Sequence, residues 1–221
     1  MKKDLTELVF VMDKSGSMSG LESDTIGGFN AMLTKQKKEQ GEANVTTILF
    51  NHHSELLHDR IPVQGVAPMT DREYEVSGTT ALLDAIGMAI TKIGNSQKRT
   101  IADHRASKVL FIITTDGHEN ASSEYNHDKV KSMITHQRES FGWEFIFLGA
   151  NIDAISTAAQ FGIAKDFAVE YHADVEGTRL NYEAVSEAVT SYRKGQKLNS
   201  TWKQGIEEDF KYRSSITKRT F

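Results

Sequence analysis

A chain of 221 residues is long enough for one well-buried domain, and 38% apolar with 25% charged residues is an ordinary globular balance. A net charge of -4 leaves no electrostatic footprint for nucleic acid or an anionic membrane, so neither is expected as a partner. The absence of cysteine excludes disulfides, thiolate metal sites and cysteine nucleophiles. Met1-Lys2-Lys3-Asp4-Leu5 has no signal-peptide pattern, and no apolar run approaches the ~20 residues that span a bilayer. A cytoplasmic protein is the expectation.

Leu8-Val9-Phe10-Val11-Met12 is a run without polar interruption, the pattern of a strand buried on both faces. It ends abruptly in Asp13-Lys14-Ser15-Gly16-Ser17, where a sharp turn would bring three side-chain oxygens round one point. Oxygen ligands with one carboxylate among them suit a hard divalent cation, not zinc or copper. Helical spacing of Ile26, Phe29 and Leu33 predicts a helix from about Leu21 to Lys38, in which Gly27 and Gly28 would let the backbone approach the sheet. Val45–Phe50 is a second strand. His53–Val63 is a third, placed at an edge by Pro62 and joined to the second as an antiparallel hairpin through Asn51-His52.

After Ser77-Gly78-Thr79-Thr80, a stripe from Ala81 to Ile93 predicts a helix, and the polar stretch Gly94–Ser107 a surface connection. Val109–Ile113 is a second uninterrupted apolar strand, again ending in oxygen ligands and glycine, Thr114-Thr115-Asp116-Gly117. A helix over about Asp128–Ser140, a strand Trp143–Leu148, a short helix Asp153–Phe161 and a strand Asp166–Tyr171 follow. Tyr182, Val185, Val189 and Tyr192 mark a last amphipathic helix. Beyond Gly195, Trp202, Ile206 and Phe210 are expected in a short packed helix interrupted by Gly205, with Lys218-Arg219 in a frayed end.

Alternation of strand and helix predicts an α/β fold: a Rossmann-like, doubly wound, mostly parallel six-stranded sheet with one antiparallel edge strand and helices on both faces. Ligands in such sheets bind where the strands end. Three loops there carry oxygen donors: Asp13-x-Ser15-x-Ser17, Thr80 and Asp116.

In those three elements, Asp13-Lys14-Ser15-Gly16-Ser17-Met18, Ser77-Gly78-Thr79-Thr80-Ala81-Leu82 and Thr115-Asp116-Gly117, the sequence resembles the von Willebrand factor A (vWA) family. Their order and strand context match its metal-ion-dependent adhesion site, and the stand-alone bacterial and bacteriophage members are the nearest in kind. The resemblance covers about Thr6 to Tyr192, making 1–195 a vWA-like domain and 196–221 a C-terminal extension. It implies that Ser15, Ser17 and Thr80 coordinate Mg2+ or Mn2+, with Asp13 and Asp116 holding the ion directly or through water. The second element commonly has two glycines before its threonine; Thr79 stands at the second, and alignment on Ala81-Leu82 favours Thr80 over Thr79 as the ligand. The resemblance further implies a non-enzymatic binding module that engages an Asp or Glu of a protein partner through the metal.

Several residues admit plainer roles. Glu119 and Asn120 are read as helix-capping groups rather than ligand contacts, Asp84 as part of a solvated helix face, and Asn151 and Asp153 as an N-cap. Lys14 and Met18 lie on the metal loop and are read as exposed loop residues, and no histidine is assigned a role. The alternative function is a metal-dependent phosphohydrolase of Rossmann-like fold. It is disfavoured because Ser15 occupies the place where the haloacid-dehalogenase pattern has a second Asp, and no lysine or histidine is obviously placed as acid or base.

Overall fold

A computed structural model describes residues 2–217. Six strands form one sheet: β1 (Lys2–Asp13), β2 (Glu42–Phe50), β3 (Ser54–Pro62), β4 (Ala106–Thr115), β5 (Glu144–Ala150) and β6 (Ala168–Tyr171). Their spatial order is β3-β2-β1-β4-β5-β6; β3 runs antiparallel to β2 and every other pairing is parallel. The helices are α1 (Glu22–Gln36), α2 (Leu82–Arg99), α3 (His127–Phe141), α4 (Ala154–Gln160), α5 (Val175–Arg193) and α6 (Gln204–Thr217).

Alternation along β1 explains the two layers of core. Leu8, Phe10 and Met12 face one side with α1 and α5, while Val9 and Val11 face the other with α2, α3 and α4. The expected architecture is therefore observed, with Pro62 at the end of an edge strand and a β2–β3 hairpin turning at Asn51–His53. No helix among the described residues is long and apolar enough to cross a membrane.

Several local expectations are corrected. β1 begins six residues before its apolar run, because Glu7 is buried yet accepts hydrogen bonds from Arg60 Nε of β3 at 3.1 and 3.2 Å. A polar residue hidden by a partner far along the chain leaves no local apolar signal. α2 continues through Gly94 to Arg99, and Ala106 and Ser107 already belong to β4, so the surface connection shrinks to a few residues. Gly27 has open space beside it. Gly28 abuts Tyr182 of α5 rather than the sheet: a Cβ there would lie 2.2 Å from the ring. Met18 is buried in the core. α6 runs for 14 residues, since Gly205 falls in its first turn, where interruption costs little. It packs on α5 and β6, with Ile206 buried and Phe210 stacked on His172 at 4.6 Å. The expected fraying at Lys218-Arg219 lies outside the described residues.

Candidate metal centre

The sheet order reverses between β1 and β4, whose carboxyl ends diverge into separate loops and open a crevice. Asp13 is the last residue of β1, and Asp116 follows the last residue of β4. After Asp13 the chain enters a tight turn, Gly16–Met18, that stands Ser15 and Ser17 on the same side. Ser15 Oγ and Ser17 Oγ are 3.1 Å apart, and Ser17 Oγ donates to Asp116 Oδ1 at 2.5 Å. Asp13 is tied down at both oxygens: Oδ1 accepts from Ser15 N at 2.7 Å and Oδ2 from the Thr115 hydroxyl at 2.6 Å. It organises the first loop and the end of β4 at once.

Thr80 reaches the same point. A Cβ on Gly117 would lie 3.1 Å from Ser17 Oγ and 3.5 Å from Thr80 Oγ1, so the glycine keeps open a space that these oxygens border. The threonine is buried and clamped, its N–H donating to Asn120 Oδ1 at 2.9 Å and its carbonyl accepting from Asn120 N at 3.0 Å, whereas Thr79 is exposed. Gly78 holds this loop to the first: its carbonyl accepts from Gly16 N at 3.0 Å. Its φ of +76° and the His52 ring, 2.3 Å from where a Cβ would sit, leave only glycine possible there. The structure thus brings Asp13, Ser15, Ser17, Thr80 and Asp116 into one continuous cluster.

Burial pushes Asp116 up to about 6, the hydrogen bond from Ser17 opposes this, and the neighbouring Asp13 charge adds to the rise. Asp13 is also raised by burial, against the hydrogen bonds from Ser15 and Thr115. Asp116 Oδ2 is buried without a hydrogen-bond partner. An orphaned carboxylate oxygen beside three hydroxyls is the donor chemistry of a hard divalent ion, so the residues present fit such a group. The set is hydroxyl-rich: among the described residues no three His, Cys, Asp or Glu gather at a point that could hold a metal.

The surrounding residues sort differently from expectation in two places. Asp84 does not lie on a solvated face; its carboxylate accepts from Ser123 N, Glu124 N and Tyr125 N at 2.8–3.0 Å and so ties α2 to the loop before α3. Lys14 is half-buried and pairs with Glu55 at 2.7 Å. Glu119 does cap, accepting from Leu83 N in the first turn of α2 at 2.9 Å, and Asp153 caps α4 through Ser156 N at 2.9 Å. Two contributors escaped the sequence. Thr115 fixes Asp13, and the signal available was its place beside Asp116. Buried Tyr74, whose hydroxyl donates to the Asp13 carbonyl, comes from a loop with no periodicity at all.

No protein-family model and no curated protein matches this sequence. Solved structures do match: von Willebrand factor type A from Catenulispora acidiphila superposes with a TM-score of 0.59 at 12% identity, over 86% of this chain and 43% of that one. The fold is that of a von Willebrand factor A domain. The same vWA fold relates the chain to proximal thread matrix protein 1 from the mussel byssus, solved with a zinc-occupied MIDAS motif, at a TM-score of 0.57 and 12% identity over 86% of this chain and 47% of that one. The D319A mutant of the PilB minor pilin from Streptococcus sanguinis also superposes, with a TM-score of 0.59 at 10% identity over 87% of this chain and 62% of that one. This chain spans between 43% and 62% of the length of these three structures.

Proposed function

We propose that residues 1–195 form a divalent-metal-dependent protein-binding module, extended by 196–221, in which Asp13, Ser15, Ser17, Thr80 and Asp116 hold Mg2+ or Mn2+. The observation that carries this reading is the buried, unpartnered Oδ2 of Asp116 in a cluster of hydroxyls. Ser15, Ser17 and Thr80 supply neutral oxygens. Asp13, with both carboxylate oxygens engaged by the protein, acts through water and keeps Ser15 and Thr115 in place. A bound ion supplies residual positive charge and one open coordination position, which suits an Asp or Glu carboxylate from a partner protein. The zinc in the MIDAS motif of proximal thread matrix protein 1 supports a divalent ion here without specifying Mg2+ or Mn2+, so zinc is not set aside.

The test titrates Mn2+ while following water-proton relaxation and thermal stability. Saturable binding that is lost in Asp116→Ala is expected. Peptides carrying a central Glu then displace metal-bound water, while the same peptides with Gln do not. Failure of any divalent ion to bind overturns the reading. Turnover of a generic phosphomonoester that disappears in Asp13→Ala would replace it with a metal-dependent phosphohydrolase.

A further inference from the structure

A groove of about 600 Å3 runs between α1 and α5, which pack together on one side of the sheet. Its α1 wall is built from Asp24, Gly27, Gly28, Ala31 and Lys35, residues that the 3.6-residue repeat places on one face of the helix. Gly28 is accounted for within the chain, because Tyr182 of α5 fills the space beside it. Gly27 is not. It is exposed in the interior of a 15-residue helix, and nothing lies within 4 Å of where its Cβ would sit. Glycine at such a position costs about 1 kcal/mol against alanine. No contact within the chain offsets that cost, whereas close approach of a second backbone requires a residue without a side chain. Val175, 60% exposed, adds an apolar group to the α5 wall of the same groove.

The charges define what approaches. Asp24 stands in the first turn of α1 and Lys35 in the last. Among the described residues neither side chain makes an ion pair, whereas Arg179 on the α5 wall is held by both Glu176 and Glu183. Asp24 and Lys35 are about 16 Å apart along the helix axis at 1.5 Å per residue. Their midpoint falls between Phe29 and Asn30, with Gly27 and Ala31 within one turn on either side. Acid, small, small, base is a pattern that becomes its own complement when the helix is turned end for end. We propose that this face binds a second copy of the chain, the two α1 helices crossing antiparallel about a two-fold axis near Phe29 and Asn30. Asp24 of each copy then meets Lys35 of the other, so the pair forms twice, as a self-complementary interface requires. Gly27 and Ala31 come to the crossing point and let the backbones close in. A parallel approach, α1 against α5 of the second copy, instead sets Asp24 against Arg179, which two carboxylates already neutralise.

The experiment is sedimentation equilibrium on the full chain in chelator, which keeps it independent of the metal centre. A reversible dimer is expected. Asp24→Lys and Lys35→Asp each place like charges at both pairs and weaken the dimer about tenfold or more. The double variant restores it, and an equimolar mixture of the two single variants sediments as a heterodimer. Each single change also loses a favourable contact with the helix dipole, but the double variant loses both and still dimerises, so helix stability does not account for the pattern. Gly27→Leu projects a side chain into open space, keeps the melting temperature of the monomer and abolishes the dimer. A chain that stays monomeric up to about 1 mM overturns the proposal. So does a dimer indifferent to either charge reversal, a double variant that fails to restore it, an intact dimer in Gly27→Leu, or a dimer that forms only with divalent metal.

Discussion

Replacing Asp116 with Asn separates a metal ligand from a merely structural carboxylate by the sign of its effect. In Asp116→Asn the amide oxygen still accepts from Ser17, while the amide nitrogen takes the place of the orphaned Oδ2. The nitrogen is as unpartnered as the oxygen it replaces, so the gain comes from removing a buried negative charge and its repulsion from Asp13. The variant is therefore more stable than the wild type in metal-free buffer at neutral pH by about 1–3 kcal/mol after allowance for solvent screening, or about 2–12 °C in melting temperature at roughly 2–4 °C per kcal/mol for this size. The gain depends on pH in a fixed direction. With a folded-state value near 6 against 3.8, Asp116 keeps its proton in the fold after the unfolded chain has released it. Its contribution is present in full below 3.8 and is lost as pH rises through about 6, so the variant's advantage opens between pH 4 and 6 and is greatest at neutral pH. Adding Mg2+ or Mn2+ raises the melting temperature of the wild type only. Thermal melts with and without metal from pH 4 to 8 read all of this. An Asp116→Asn protein that is less stable in chelator and still responds to metal refutes the reasoning.

Thr80→Val removes the metal-induced rise in melting temperature and Thr79→Val retains it, because only the buried threonine borders the gap beside Gly117; isothermal titration with Mn2+ measures both. Gly28→Ala drives a methyl into the Tyr182 ring and lowers stability by about 1–3 kcal/mol in urea melts, overpacking exceeding the ~1 kcal/mol gained in helix propensity, and Tyr182→Leu in the same chain restores most of the loss. Arg60→Met leaves the fully buried Glu7 unpaired and costs about 3–5 kcal/mol at neutral pH. Burial already raises Glu7 above its ordinary value, so protonation relieves the Arg60→Met penalty as pH falls toward 4, which denaturant titrations at two pH values read out.

Much of this architecture is written locally. Val9, Phe10 and Val11 in β1, and Leu110 to Ile113 in β4, have no polar neighbour that would tolerate solvent on either face, so their burial and central place in the sheet follow from the sequence. The oxygen-bearing turns are equally legible, because each begins where such a run stops. What escaped was closure at a distance. Glu7 reads as a break in a strand until Arg60 neutralises it from 53 residues away. Asp84 reads as a surface acid until the loop 123–125 folds its amides over it. Tyr74 carries no pattern, since its role is to reach a carbonyl 61 residues earlier.

The burial pattern of the candidate metal centre bears on the proposed engagement of a partner carboxylate. Asp13, Ser15, Thr80 and Asp116 are buried, while Gly16, Ser17, Ser19, Thr79 and His118 on the same three loops are exposed. The buried groups are held from several sides: Asp13 at both oxygens, Thr80 by Asn120 on both sides, and Gly16 against Gly78. On the proposed function, a group that reaches them is narrow and anionic, as a Glu or Asp side chain on a protruding loop is and a flat protein surface is not. Because the fixed hydroxyls contribute no charge, removing either carboxylate changes the charge balance of the cluster far more than removing any one hydroxyl. Ser17→Ala should therefore weaken metal and partner binding in proportion, while Asp116→Ala should remove both.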